Sequence, residues 1–153
     1  MSNLEDVIEM AAYAQNSQGK RHSHQYRISS TALENGKRIL KKGIQNENSF
    51  DSFEALHDWF SNQCSYKSGS LGLGLGPLYV YDTCLRIGAY LKLMPKLVHL
   101  HSGALTGARS LLGRVTRKKL RVSDFPQALH ALKPYEIEDF LCIYKSKLSH
   151  FTF

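Results

Sequence analysis

The chain has 153 residues, 42% of them hydrophobic and 10% aromatic, with three cysteines and a formal net charge of +7. That length closes a core without disulfides or a structural metal, and that composition excludes wholesale disorder. Cys64, Cys84 and Cys142 are odd in number and far apart, which fits the reduced thiols of a cytoplasmic protein better than a disulfide framework or a Cys-based zinc site.

No window approaches the roughly 18 uninterrupted apolar residues of a membrane span. The start carries Glu5, Asp6 and Glu9 instead of a basic segment and an apolar run, so no secretory signal is read there. The expectation is a mainly α-helical protein, one compact domain over 1–153, with no membrane association, no resident metal and no cofactor.

In chain order, Ser2 with Glu5 has capping-box spacing, and the apolar residues from Leu4 to Ala12 recur at helical intervals, predicting a first helix to about Gln15. Residues 16 to 30 read as a polar, basic loop whose His22 and His24 lack nearby carboxylates or cysteines for a metal. Thr31 with Glu34 and Asp51 with Glu54 have the same box spacing and open two more helices. The first of these places Leu33, Ile39 and Leu40 inward and carries a solvated basic face of Lys37, Arg38, Lys41 and Lys42. The second supplies an aromatic core stripe of Phe53, Leu56, Trp59 and Phe60, completing a helical scaffold over 1–64.

The stretch from Gly72 to Gly113 organises the rest. In Leu73-Gly74-Leu75-Gly76-Pro77, glycines bracket one apolar residue and proline takes a first helical position. Such a turn brings main-chain N–H groups and a helix start close to an anion. The helix that follows, Leu78 to about Leu93, is apolar on most of its circumference and is expected to be the buried centre of the fold. Its polar stripe holds Tyr79, Asp82, Thr83, Arg86 and Tyr90. Asp82 and Arg86 are four apart in acid-then-base order, which fits an internal ion pair or a phosphate-clamping arginine oriented by its carboxylate.

The hGhG pattern followed by a helix, about Leu73 to Leu91, resembles the second half of the helix-hairpin-helix motif, the DNA-backbone grip of DNA glycosylases and repair proteins. Asp82, Thr83 and Arg86 are also similar to the catalytic Asp segment of the helix-hairpin-helix glycosylases. The resemblance implies a mainly helical DNA-binding protein, with Gly74 and Gly76 at the backbone and Asp82 as a catalytic candidate.

Past Met94-Pro95, the alternation in Lys96 to His101 reads as a short strand with His99 and His101 on one side, structural histidines or proton-transfer groups. Ser102 to Arg109 reads as a capped, glycine-rich helix start closing at Gly113. Its small residues admit either another helix or a sugar-phosphate chain, so Gly103, Thr106, Gly107 and Arg109 are candidate contacts. A basic arm over 114–122 follows, with Arg114, Arg117, Lys118, Lys119 and Arg121, and a closing helix over 134–148 opens at Pro134. In that helix Glu136, Glu138 and Asp139 are read as first-turn acids that complement its dipole.

Charge distribution directs the functional reading. From Thr83 to Ser123 nine Lys and Arg residues occur without one Asp or Glu. A single-sign field of that kind attracts polyanions. The leading expectation is a protein that grips the phosphate backbone of nucleic acid, DNA before RNA, through Gly74, Gly76, Arg86, Gly103 to Arg109 and the arm. The alternatives are an enzyme acting on nucleic acid or a nucleotide through Asp82, His99 and His101, and an inhibitor or adaptor that meets an acidic protein partner.

Overall fold

The computed structural model describes residues 3–65 and 74–150. Ser2, Gly72 and Leu73 lie outside the described residues, as does the side chain of His24. The described chain is mainly α-helical, as the periodicity predicts, and forms two compact units, Met1–Met94 and Pro95–Phe153.

The first unit holds α1 (Leu4–Ala12), α2 (Ser30–Gly43), α3 (Phe53–Gln63) and α4 (Pro77–Leu91). The helices fall where the apolar periodicity puts them, but the caps sit one or two residues away from the predicted boxes. Asn3 caps α1 by accepting from the Asp6 N–H, Ser29 caps α2 through Ala32, and Ser52 caps α3 through Ala55. Thr31 and Asp51 are therefore not the caps. Each true cap has extended backbone and an oxygen aimed back at a first-turn donor. The first helix stops at Ala12, short of the predicted Gln15, and Ala14 turns into the left-handed region at φ 52°.

Leu33, Ile39 and Leu40 of α2 and Phe53, Leu56 and Phe60 of α3 are buried together with Ile8, Val80, Cys84 and Ile87. The Trp59 ring packs against that core beside Phe50 and Phe60 and lies over Gly43, where a side-chain carbon would meet it at 2.0 Å. Trp59 is a core residue. Burial pushes the Cys64 thiol up to about 12 and the Cys84 thiol well above its ordinary value, so both stay protonated and unreactive near neutrality.

α4 is the central helix. It packs against α1 and α3, and its buried residues include Tyr79, Tyr81 and Thr83 as well as Val80, Cys84 and Ile87. This corrects the polar stripe: Tyr79 and Thr83 face inward. The Tyr79 hydroxyl donates to the Ala12 carbonyl at 2.6 Å, satisfying an acceptor that the end of α1 leaves open. Leu78 and Leu85 are only half-buried, and Ala89 is exposed. The helix ends at Lys92 in left-handed conformation, with the Leu93 N–H donating to the Gly88 carbonyl at 2.8 Å.

The second unit is built on α5 (Ser102–Leu112) and α6 (Pro134–Tyr144), packed against each other, with a two-stranded antiparallel ribbon of β1 (Val98–His99) and β2 (Lys119–Leu120). Val98 stands opposite Leu120 and His99 opposite Lys119. The Leu100 N–H adds one more ribbon bond, to the Lys118 carbonyl at 2.7 Å. Val98, Leu100, Ala104, Ala108, Leu120, Ile137 and Leu141 belong to this unit's own core. Gly113, at φ 83°, closes α5 as predicted, and α6 stops at Tyr144, with a 3-10 turn at Leu148–His150 beyond it.

Candidate nucleic-acid interface

Formal charge is divided unevenly between the units. The first carries ten Lys and Arg against nine Asp and Glu, the second ten against four in far fewer residues. Much of the first unit's positive charge is also spent locally. Lys41 pairs with Glu5 at 2.7 Å, and Lys37 pairs with Glu34 at 3.1 Å beneath the Tyr13 hydroxyl, which donates to the same carboxylate. These partners hold the Glu5 and Glu34 carboxyls below their ordinary range and raise the Lys41 and Lys37 ammonium groups. On the basic face of α2, Lys37, Arg38 and Lys41 are ion-paired and Lys42 is exposed.

In the same unit Gly74 takes φ 87°, which only glycine adopts without strain, and Gly76 is the N-cap of α4 without any side-chain cap. Pro77 follows at the first helical position and has no N–H to satisfy, and both glycines are exposed. Leu75 between them is buried and anchors the turn. Gly74 and Gly76 thus present an uncapped helix start to solvent.

Asp82 and Arg86 form the expected pair, Nη2 to Oδ2 at 3.9 Å, and Asp82 also accepts from the Gln25 side-chain amide at 3.2 Å. Burial lowers the Arg86 guanidinium from its ordinary value against the opposing pull of Asp82. Its Nη1 is enclosed and has no hydrogen-bond partner among the described residues. A guanidinium held this way is an internal ion-pair member more than a surface clamp. Gln25 was hidden within a polar loop 57 residues from Asp82, and no spacing pointed to it.

His99 and His101 lie in the second unit, whereas Asp82 lies in the first. Both histidines are buried, His99 on β1 and His101 as the N-cap of α5. His101 Nε2 is 2.9 Å from Glu138 Oε1, and both side chains are 6% exposed. Glu138 therefore corrects the reading of the α6 acids. It is the buried partner of a histidine, while Glu136 accepts from the Lys133 N–H at 2.7 Å and caps the helix start. Among the described residues, no three His, Cys, Asp or Glu side chains converge as metal ligands would.

The glycine-rich start of α5 is resolved toward helix packing. A side-chain carbon at Gly107 would stand 2.2 Å from the Leu141 carbonyl oxygen, and one at Gly103 would stand 2.8 Å from Cys142 Sγ. Gly107 is buried against the α6 backbone, whereas Gly103 is half-buried and faces only side chains of that part of the chain. Thr106 is exposed and its hydroxyl donates to the Ser102 carbonyl at 3.2 Å. Arg109 Nε donates to the Val115 carbonyl at 3.4 Å and braces the segment that follows.

That segment is the basic arm. Arg114, Arg117, Lys118 and Arg121 are exposed, and Lys119 is half-buried in the ribbon. Its end is fixed by Asp124, which accepts the Arg121 N–H at 2.8 Å and lies 3.7 Å from Arg117 Nη2 and 3.8 Å from Arg121 Nη2. The arm is thus an ordered loop, braced by Arg109, pinned by the ribbon and closed by one carboxylate. No spacing in the sequence singles out Asp124 for this role.

Compared with known protein families, with curated proteins and with solved structures, the chain matches none of them. No helix of the described residues is long and apolar enough to cross a membrane.

Proposed function

We propose that the protein binds the phosphate backbone of nucleic acid, DNA first, through the arm of its second unit. The observation that carries this reading is the concentration of ten cations against four acids in that unit, with an arm that exposes Arg114, Arg117, Lys118 and Arg121 and has no acidic residue from 114 to 121. One of the four acids, Glu138, is buried against His101 and adds little to the outer field. Arginines and lysines held out on a braced loop meet phosphates without first paying to order themselves. In the first unit, the exposed Gly74–Gly76 turn at the start of α4 supports a further backbone contact of the helix-hairpin-helix kind. Such contacts position a protein without reading bases, so preference among nucleic acids has to come from shape or from chain ends.

The test is fluorescence anisotropy with duplex DNA, single-stranded DNA and RNA over a salt series. The logarithm of affinity is expected to fall linearly with the logarithm of salt, by about 0.9 per duplex phosphate contacted. Joint reversal of Arg117, Lys118 and Arg121 to Glu is expected to remove about three contacts from that slope and on the order of 100-fold in low-salt affinity. Unchanged affinity in the reversed variant would reject the arm as the interface. Salt-sensitive capture of an acidic protein, with no response to any nucleic acid, would establish an adaptor instead.

A further inference from the structure

The arm borders a cleft of about 230 Å³. Leu112, Val115 and Leu120 supply its apolar lining, and Arg114, Thr116, Arg117 and Asp124 its polar lining. We propose that this cleft seats a phosphomonoester, the charged end of a nucleic-acid chain. The proposal rests on the backbone-binding reading above and sharpens it from phosphates in general to a terminal one.

Size is the first argument. The cleft is smaller than the roughly 300–1,000 Å³ of ordinary ligand pockets, so it holds a phosphate and part of a sugar, not a strand passing through. Charge is the second. A monoester carries about −1.5 to −2 at neutral pH and offers three oxygens, and two guanidinium forks with a hydroxyl offer a matching donor set. An internal diester, with a single negative charge, leaves part of that set unused.

Asp124 is the positioning residue. Its separations from Arg117 and Arg121 exceed hydrogen-bond length, so it lies beside both guanidiniums and leaves their donors available. Its bond to the Arg121 N–H keeps the loop in shape when Arg117 turns to a phosphate. Its negative charge also opposes an incoming anion, which gives a signed prediction. Asp124→Asn retains an acceptor for that N–H while removing the opposing charge, and is expected to tighten binding of a phosphorylated end several-fold.

The experiment compares one oligonucleotide sequence carrying a 5′-phosphate, a 3′-phosphate or hydroxyls at both ends. At least one phosphorylated form is expected to bind about tenfold more tightly than the hydroxyl form, and Arg114→Gln with Arg117→Gln is expected to bring that ratio to one. Equal affinity for all three forms overturns the seat while leaving backbone binding intact. Where no oligonucleotide binds, inorganic phosphate or a nucleoside monophosphate that shifts the amide resonances of 114–120 supports the seat and rejects the nucleic-acid reading. Binding confined to a phosphopeptide overturns the proposal.

Discussion

Replacing Glu138 by alanine is expected to lower the stability of the second unit by about 2 kcal/mol, the scale on which depriving a buried polar group of its partner acts. The carboxylate lies 2.9 Å from His101 Nε2 with both side chains almost wholly enclosed, so truncation removes an acceptor from beside a buried ring and opens a void there. The pair joins the N-cap of α5 to the first turns of α6, and the loss should therefore appear in both helices together. Hydrogen exchange of the α5 and α6 amides reads it directly. Glu138→Gln, which retains an acceptor of the same shape, should cost only about 1 kcal/mol. A double replacement by apolar residues of similar volume should recover most of the loss. Exchange as slow in Glu138→Ala as in the parent protein would show that the pair contributes nothing to stability.

Gly107→Ala is expected to destabilise the same unit by about 2 kcal/mol, opposite in sign to what helix propensity alone dictates. In an exposed helix the change would gain about 1 kcal/mol. Here the new methyl would stand 2.2 Å from the Leu141 carbonyl oxygen, a main-chain atom that cannot rotate away, so α5 and α6 must separate. Gly103→Ala is the informative partner. Its methyl would meet the Cys142 thiol and the Lys145 side chain, with no main-chain atom in the way, and the cost should stay within about 1 kcal/mol. Thermal unfolding that ranks the two equally would contradict the close packing as the source of the effect.

Much of the fold is legible in the chain because helical periodicity is a local signal. The central helix is expected from Leu78 and found from Pro77, Gly113 closes α5 and Pro134 opens α6. Caps are less legible where candidates crowd together. Ser29, Ser30 and Thr31 all have the right chemistry, and what selects Ser29 is extended backbone at that residue, a property of the folded loop. The pairs that define the polar interior are legible only where the partners are close in sequence. Asp82 meets Arg86 one turn away and is anticipated, whereas its bond to Gln25 and the meeting of His101 with Glu138 join residues far apart in sequence. Tyr79 is misplaced for a related reason, since its ring is apolar and its hydroxyl needs only one acceptor, which the end of α1 supplies. The arm is anticipated from composition, but Asp124 as its clasp is visible only in three dimensions.

Pinning the arm between the ribbon and Asp124 also sets like charges near one another in the free protein, and the fold bears their self-repulsion at all times. Added electrolyte screens that repulsion as it screens the attraction to a polyanion. Ionic strength should therefore act with opposite signs on this unit, firming the unliganded fold while loosening its hold on phosphate.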